Sequence, residues 1–397
     1  MDSLPVPGEL MAEIFLRLPN PADLVRASAA CGSFRRLVGD RSFLRQYRKL
    51  HGLPILGFLC GRNDFKPTMA PHPSAPAASA IALAADFSFS FLPHPACNWG
   101  IRDIRDGRVL LVRGFVKVGG TVKFKEIVVC DPLHRQYLLL PPIPDELCRE
   151  VWMARHIFLF PPADSAGEEE IAEEKAFRVI YMARQGDKLI ALVFSSSTRQ
   201  WVAGPSHSWR DSFDGLLSKP GFAEFSRPQY VCGSFYWVTD RRENLLVFDT
   251  QRMEFYIADA PSEAKDSASV DIAFVEAGEG RARVFVRPKY TNDLNYSIRQ
   301  KNCGSSSQWQ FERTVLLDFS FSVMGSAGRH LFLFGWGSNS SLRGYFSLDV
   351  KTFQLEMLFA SNSRVPCWHT YSNFPPSLLS TPTISSGKLP AIFICNW

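Results

Sequence analysis

"ELMAEIFLRLPNPADLVRASAACGSFRRLV", Glu9 to Val38, carries apolar side chains at helical spacing and is punctuated by its own caps. Pro7 suits a first helical position with Glu9 in the first turn, which predicts a helix over residues 7–18. Asn20-Pro21-Ala22-Asp23 supplies an N-cap, a proline and an acid for a second helix. Gly32-Ser33 stops that helix and caps a third, and Gly39-Asp40 does the same ahead of a trailing fourth segment, "RSFLRQYRKL". On the first helix Leu10, Ile14 and Leu18 share one stripe, while Met11 and Phe15 form a second, rotated by about 100°. Three or four short helices cannot enclose both stripes. One stripe closes a small core with Leu24, Ala27, Cys31, Phe34 and Leu37; the other is left over for a second protein.

The remainder of the 397 residues reads differently. "KPTMAPHPSAPAASAIALAA", starting at Lys66, is rich in Pro, Ala and Ser and reads as a linker or loosely ordered loop. From about Phe87 onward come short β-runs between turn signals, among them "RVLLVRGFV", "KFKEIVVCD", "FRVIYMAR", "KLIALVFS", "SFYWVTD", "NLLVFDT", "ARVFVR", "HLFLFGW" and "GYFSLDV". A sub-pattern recurs: an apolar strand, a turn opened by a small polar residue, and an apolar residue six positions on. It stands at Asp131/Tyr137, Ser195/Trp201, Asp249/Phe255, Cys303/Trp309 and Asp349/Leu355, with 64, 54, 54 and 46 residues between successive anchors. Such spacing marks the blades of a β-propeller. With the strands around "IRDIRDGRVLLVR" it predicts about six blades, and "LPAIFICNW" at the C-terminus is the expected strand that closes the ring. The expected fold is a small all-α domain of three short helices followed by an all-β propeller. Its expected boundaries are 1–50, a linker and lead-in over 51–86, and a propeller over 87–397.

Here the helical segment also carries a resemblance. Leu4, Pro5, Glu13, Ile14, Leu18, Pro19, Asp23, Leu24, Cys31, Arg35, Leu37 and Phe43 fall on the pattern of an F-box, which commonly has Trp where this chain has Phe34. The second half resembles the kelch-like or F-box-associated propellers found behind many plant F-boxes. The resemblance implies the substrate-recognition subunit of a Skp-cullin-F-box ubiquitin ligase. In that role Leu4, Pro5, Leu10, Ile14, Leu18, Pro19, Leu24 and Phe34 would meet the Skp-type adaptor of the cullin ligase core, and the propeller would recruit a protein substrate. Candidate substrate contacts are aromatic residues expected in loops: Trp209, Tyr290, Trp336 and Trp368, with Tyr296 and Tyr371 beside them.

Chemistry is sparse. The eight His show no H-x-x-x-H or HExxH spacing, and the nine Cys form no C-x-x-C pair, so no local metal site is expected. No Walker-type loop and no G-x-S-x-G elbow occur, and no cofactor is expected. A propeller hydrolase could place Asp103, Asp106 or Asp271 at the central channel; reading them as turn acids is the simpler alternative. A scaffold that binds the adaptor without delivering a substrate is another. The net charge of +5 comes without a basic run, which argues against nucleic acid. No leader-like or membrane-length apolar stretch stands out, so a cytoplasmic or nuclear protein with reduced thiols is expected. The acidic "DSAGEEEIAEEK", beginning at Asp164, reads as a solvated loop insertion.

Overall fold

The structure, a computed structural model, describes residues 7–378 and 384, apart from 61–63, 96–97, 119–120, 149–150, 161–175, 186–187, 209–227, 240–243, 266–269, 277–280, 289–290, 300–308, 337–342 and 365–367. Four helices open the chain: α1 (Gly8–Leu16), α2 (Pro21–Ala30), α3 (Gly32–Val38) and α4 (Arg41–His51). Their starts follow capping chemistry. Asn20 Oδ1 accepts the Ala22 N–H at 3.0 Å, and Asp40 Oδ1 accepts the Phe43 N–H at 3.0 Å. The cap of α3 is Cys31, whose Sγ accepts from the Phe34 N–H at 3.5 Å, so Gly32 and Ser33 lie inside the helix.

Six sheets follow, arranged as blades around a channel. Blade 1 holds β3 (Trp99–Arg105), β4 (Arg108–Val118), β5 (Thr121–Asp131) and β6 (Gln136–Leu139). Blade 2 holds β7 (Val151–Phe160), β8 (Arg178–Gln185), β9 (Lys188–Ser195) and β10 (Gln200–Ser208). Blade 3 has β11 (Gln229–Val231), β12 (Ser234–Val238), β13 (Asn244–Asp249) and β14 (Glu254–Asp259). Blade 4 has β15 (Val270–Glu276), β16 (Ala282–Pro288), β17 (Asp293–Arg299) and β18 (Trp309–Leu316). Blade 5 has β19 (Ser320–Ala327), β20 (His330–Trp336), β21 (Arg343–Asp349) and β22 (Leu355–Ala360). In blade 6 the innermost strand is β23 (Trp368–Ser372), and its partners β1 (Ile55–Cys60) and β2 (Asp64–Pro67) come from the other end of the chain.

The strands alternate between two neighbours because side chains alternate across a sheet. On β8, Val179, Tyr181 and Ala183 pack toward blade 1, while Ile180 and Met182 pack toward blade 3. Six apolar clusters result, one at each blade-to-blade seam, including the seam between blades 6 and 1. Four of the five repeated anchors open hairpin turns of one design. The Asp131, Asp249 and Asp349 Oδ1 atoms each accept two turn N–H groups at 2.8 to 3.2 Å, and Ser195 takes the equivalent place. Four residues after each anchor the backbone turns left-handed, at Arg135, Arg199, Met253 and Phe353. In the three Asp turns the side-chain bonds offset the ~1–2 kcal/mol cost of that conformation in a non-glycine residue. Trp201 and Trp309 tie each blade to the one before, donating from Nε1 to Pro141 O and Asp259 O at 2.9 Å. Cys303, the fifth anchor, lies outside the described residues.

One expectation is corrected. The stretch read as a linker contains the end of β2 and helix α5 (Ala75–Ala84), on which Ala78 and Ile81 are fully buried against β1. Alanine is the best helix former, Pro76 sits in the first turn, and small side chains let the helix approach the sheet closely. The ring is closed by β1 on β23, with Cys60 opposite Trp368 and Ile55 opposite Ser372. "LPAIFICNW" lies outside the described residues, as do residues 161–175 with the acidic stretch.

After β2 the Met69 N–H donates to Leu358 O at 2.7 Å, which fixes the following residues against the outer strand of blade 5. His72 is buried there, its Nε2 3.3 Å from Glu356 Oε2, with its Nδ1 accepting the Ser74 N–H at 3.1 Å. Burial pushes His72 down to about 4 and also lowers His330, which lies near Asp349 and Arg329. Both imidazoles are therefore neutral in the folded protein at neutral pH. Unfolding lets them take up protons below about 6.5, so this stability is intact above that value and drains away as pH falls toward 4. For His72 the loss amounts to about 3 kcal/mol at most, and Glu356, raised by burial, opposes part of it. Thermal melts of the wild type should fall steeply from pH 6.5 to 4.5. His72→Gln should flatten that slope; an unchanged slope would clear His72 of any part in it.

Candidate functional site

The helical unit presents an apolar face with nothing on it. Leu10 and Ile14, one turn apart on α1, are 50% and 46% exposed. Phe15 and Leu24 on the opposite side are buried in a core with Val38, Phe43, Leu44 and Tyr47, and Met11 packs on its edge. Burial thus divides the two stripes: Met11 and Phe15 inward, Leu10 and Ile14 outward. Leu18 is half-buried and Pro19 is exposed. Leu24 is fully buried, so it belongs to the core and offers no contact surface, a correction to its reading as an adaptor contact. Phe34 is intermediate, packed edge-to-face on Phe15 at 5.1 Å with part of its ring outward. Leu4 and Pro5 lie outside the described residues.

This unit is anchored to one rim of the ring. Phe374 and Leu378, just beyond β23, complete the helical core, with Phe374 6.4 Å from Tyr47. Burial pushes the Tyr47 phenol well above its usual range. Arg48 pairs with Asp106 at 2.7 Å in the β3–β4 turn. Gly107 in that turn is left-handed, and the Asn373 side chain occupies the space a Cβ would need. The helices therefore sit on the rim where innermost strands turn outward.

The opposite rim is reached by following strand directions. Trp336 ends β20 there and is 37% exposed. Trp368 begins β23 at the same rim. Trp209 and Tyr290 lie outside the described residues, but the strands preceding them, β10 and β16, also end on this rim. Tyr296 and Tyr371, expected in loops, lie within β17 and β23 and are buried in the seams between blades. A β-run of buried neighbours surrounds both, which the loop reading overlooked.

The channel acids have structural partners. Asp103, on the innermost strand of blade 1, accepts the Leu159 N–H of the next innermost strand at 2.9 Å and the Ile104 N–H at 2.9 Å. Asp271 does the same from blade 4 to Val323 of blade 5 at 3.0 Å and lies 3.6 Å from Arg287. Gln229 links blade 3 to Phe274 and Ile272 of blade 4, at 2.9 and 3.1 Å. These side chains staple adjacent inner strands, which neither the turn-acid nor the hydrolase reading anticipated; only Asp106 lies in a turn, and it holds Arg48. Asp103→Ala should cost about 1–3 kcal/mol by leaving the Leu159 N–H without its acceptor. Denaturant melts of the full chain check this, and a variant as stable as wild type would show the staple to be idle. Among the described residues, no three His, Cys, Asp or Glu side chains group to hold a metal ion. No described helix is long and apolar enough to cross a membrane.

No curated protein matches the sequence. Solved structures similar to the chain include an oligogalacturonate lyase in complex with manganese, at 8% identity over 67% of this chain and 65% of that one, TM-score 0.36. Others are the β-propeller domain of the Trilobed protease from Pyrococcus furiosus, at 13% over 66% and 71%, TM-score 0.35, and the Bombyx mori GH32 β-fructofuranosidase BmSUC1, at 13% over 72% and 68%, TM-score 0.33. The chain thus spans just under two thirds of the lyase. Residues 2–49, which hold the exposed α1 face, match the F-box-like family.

Proposed function

We propose that this chain is the substrate-recognition subunit of a Skp-cullin-F-box ubiquitin ligase, acting in the cytoplasm or nucleus. The F-box binds the Skp-type adaptor and the propeller, of the kelch-like or F-box-associated kind, holds a protein substrate. The observation that carries this is the Leu10/Ile14 face left open on an F-box-like unit. Covering the exposed halves of these two side chains is worth about 1.5–3 kcal/mol in all.

The placement of the two surfaces supports a receptor. The helices occupy one rim, which leaves the opposite rim, where Trp336 ends β20, for a substrate held away from the adaptor. Such a protein needs no catalytic residue: it raises the effective concentration of substrate near a ubiquitin-loaded enzyme. The occupation of Asp103, Asp106 and Asp271 by backbone and Arg48 fits a chain without hydrolytic carboxylates. Co-expression with a Skp-type adaptor should yield a one-to-one complex. Affinity capture with and without proteasome inhibition should then enrich a ubiquitinated protein; a chain that binds no adaptor overturns the proposal.

A further inference from the structure

We propose that the helix-side mouth of the central channel is an oxyanion site, built by Arg105 and Arg178 over the Phe160, Tyr230 and Phe235 rings, for a free phosphate-bearing ligand. Arg105 ends β3 of blade 1, yet its guanidinium lies 4.2 Å from the Tyr230 ring centroid and 5.7 Å from that of Phe235, both in blade 3. Blade 2 stands between them in the ring, so the side chain crosses the mouth. Arg178 begins β8 and stacks over Phe160 at 4.1 Å, a ring in the same apolar cluster as Phe235 and Tyr230.

These cations have no counter-charge among the described residues. The acids nearest to Arg105 in sequence are occupied: Asp103 by the Leu159 and Ile104 N–H groups, Asp106 by Arg48. The Arg105 Nε is buried without a hydrogen-bond partner. Burial also lowers the Arg178 pKa, the mark of a cation partly stripped of water. Aromatic stacking satisfies the faces of guanidinium groups and leaves their N–H edges to be met. Partly desolvated cations gathered on one aromatic cluster, Phe160, Tyr230 and Phe235, are unfavourable until an anion joins them. A carboxylate pairs in plane with a single fork, whereas a tetrahedral phosphate offers acceptors to forks arriving from different blades.

The test is calorimetric titration of the full-length protein, in complex with its adaptor, with inorganic pyrophosphate at constant ionic strength. Saturable binding is expected, with Arg105→Gln or Arg178→Gln weakening it at least tenfold. Arg105→Lys and Arg178→Lys keep the charge and much of the stacking, and should bind more weakly than wild type while melting normally, which separates the site from simple misfolding. Equal binding by wild type and the double Lys variant overturns the proposal, as does the absence of saturable binding by wild type. The chain has its own source of oxyanions in Glu168, Glu169, Glu170, Glu173 and Glu174. Binding seen only after these five are changed to Gln would show that the protein's carboxylates fill the mouth, and the free-ligand proposal would fall.

Discussion

A fragment beginning at residue 87, where the composition suggests the propeller starts, will be insoluble or molten, whereas one beginning at residue 53 will melt cooperatively. The first fragment lacks β1, β2 and α5 and keeps β23 as the sole strand of blade 6. All six residues of β1 are buried. Phe58 packs against Phe332, Tyr345 and Phe359 at 5.3 to 6.3 Å, and Leu56 and Leu59 face the blade 1 seam. Each large apolar side chain lost from a core costs about 2–5 kcal/mol, so removing Ile55, Leu56, Phe58 and Leu59 alone costs on the order of 10 kcal/mol. That rivals the whole stability of an ordinary domain, roughly 5–15 kcal/mol. The unpaired edge of β23 adds an aggregation hazard. The longer fragment loses only the helices and leaves Phe374 and Leu378 bare. Circular dichroism melts and soluble yield decide it: matched melting of the two fragments would mean that another segment closes the ring.

The sequence was most legible where a local rule acts on its own. Each of the nine β-runs quoted from the sequence holds a strand, because β-branched and aromatic runs bounded by turn residues have few alternatives in a protein with so many hairpins. The Asp-opened turns were visible for the same reason: side chain and backbone bond within four residues. What failed depended on distant partners. "ILGFLC" at Ile55–Cys60 is a strand only because β23 returns over 300 residues later to pair with it. The Pro/Ala stretch became α5 because β1 offers a surface to cover. At the candidate site, spacing located two stripes on α1 but could not say which one turned inward. Leu24 was read both as core and as contact, and burial decides for the core. Asp103 and Asp271 were legible only as turn acids or channel carboxylates, because the N–H groups they accept from lie more than 50 residues away.

Replacing Leu10 and Ile14 together by Glu should reduce adaptor binding by at least 100-fold and leave the melting temperature of the protein nearly unchanged. Both positions are about half exposed on a described helix whose other side is already packed, so the folded chain alone loses little. Glu is a good helix former, and position 10 lies in the first turn of α1, where a negative charge is favoured by the helix dipole. The adaptor complex loses the burial of the exposed halves of two apolar side chains, about 1.5–3 kcal/mol in all, and must also desolvate two carboxylates. Since about 1.4 kcal/mol is tenfold in affinity, the apolar term gives roughly 10–100-fold, and the desolvation of two carboxylates carries the loss past 100-fold. Phe15→Ala is the necessary contrast. It empties a buried site against Phe34, so it should destabilise the helical unit by about 3–5 kcal/mol and weaken binding only through unfolding. Surface plasmon resonance against the adaptor, paired with melts of the same samples, separates the two effects. A Leu10/Ile14 double variant that folds normally and binds with wild-type affinity would remove the exposed face from the interface altogether.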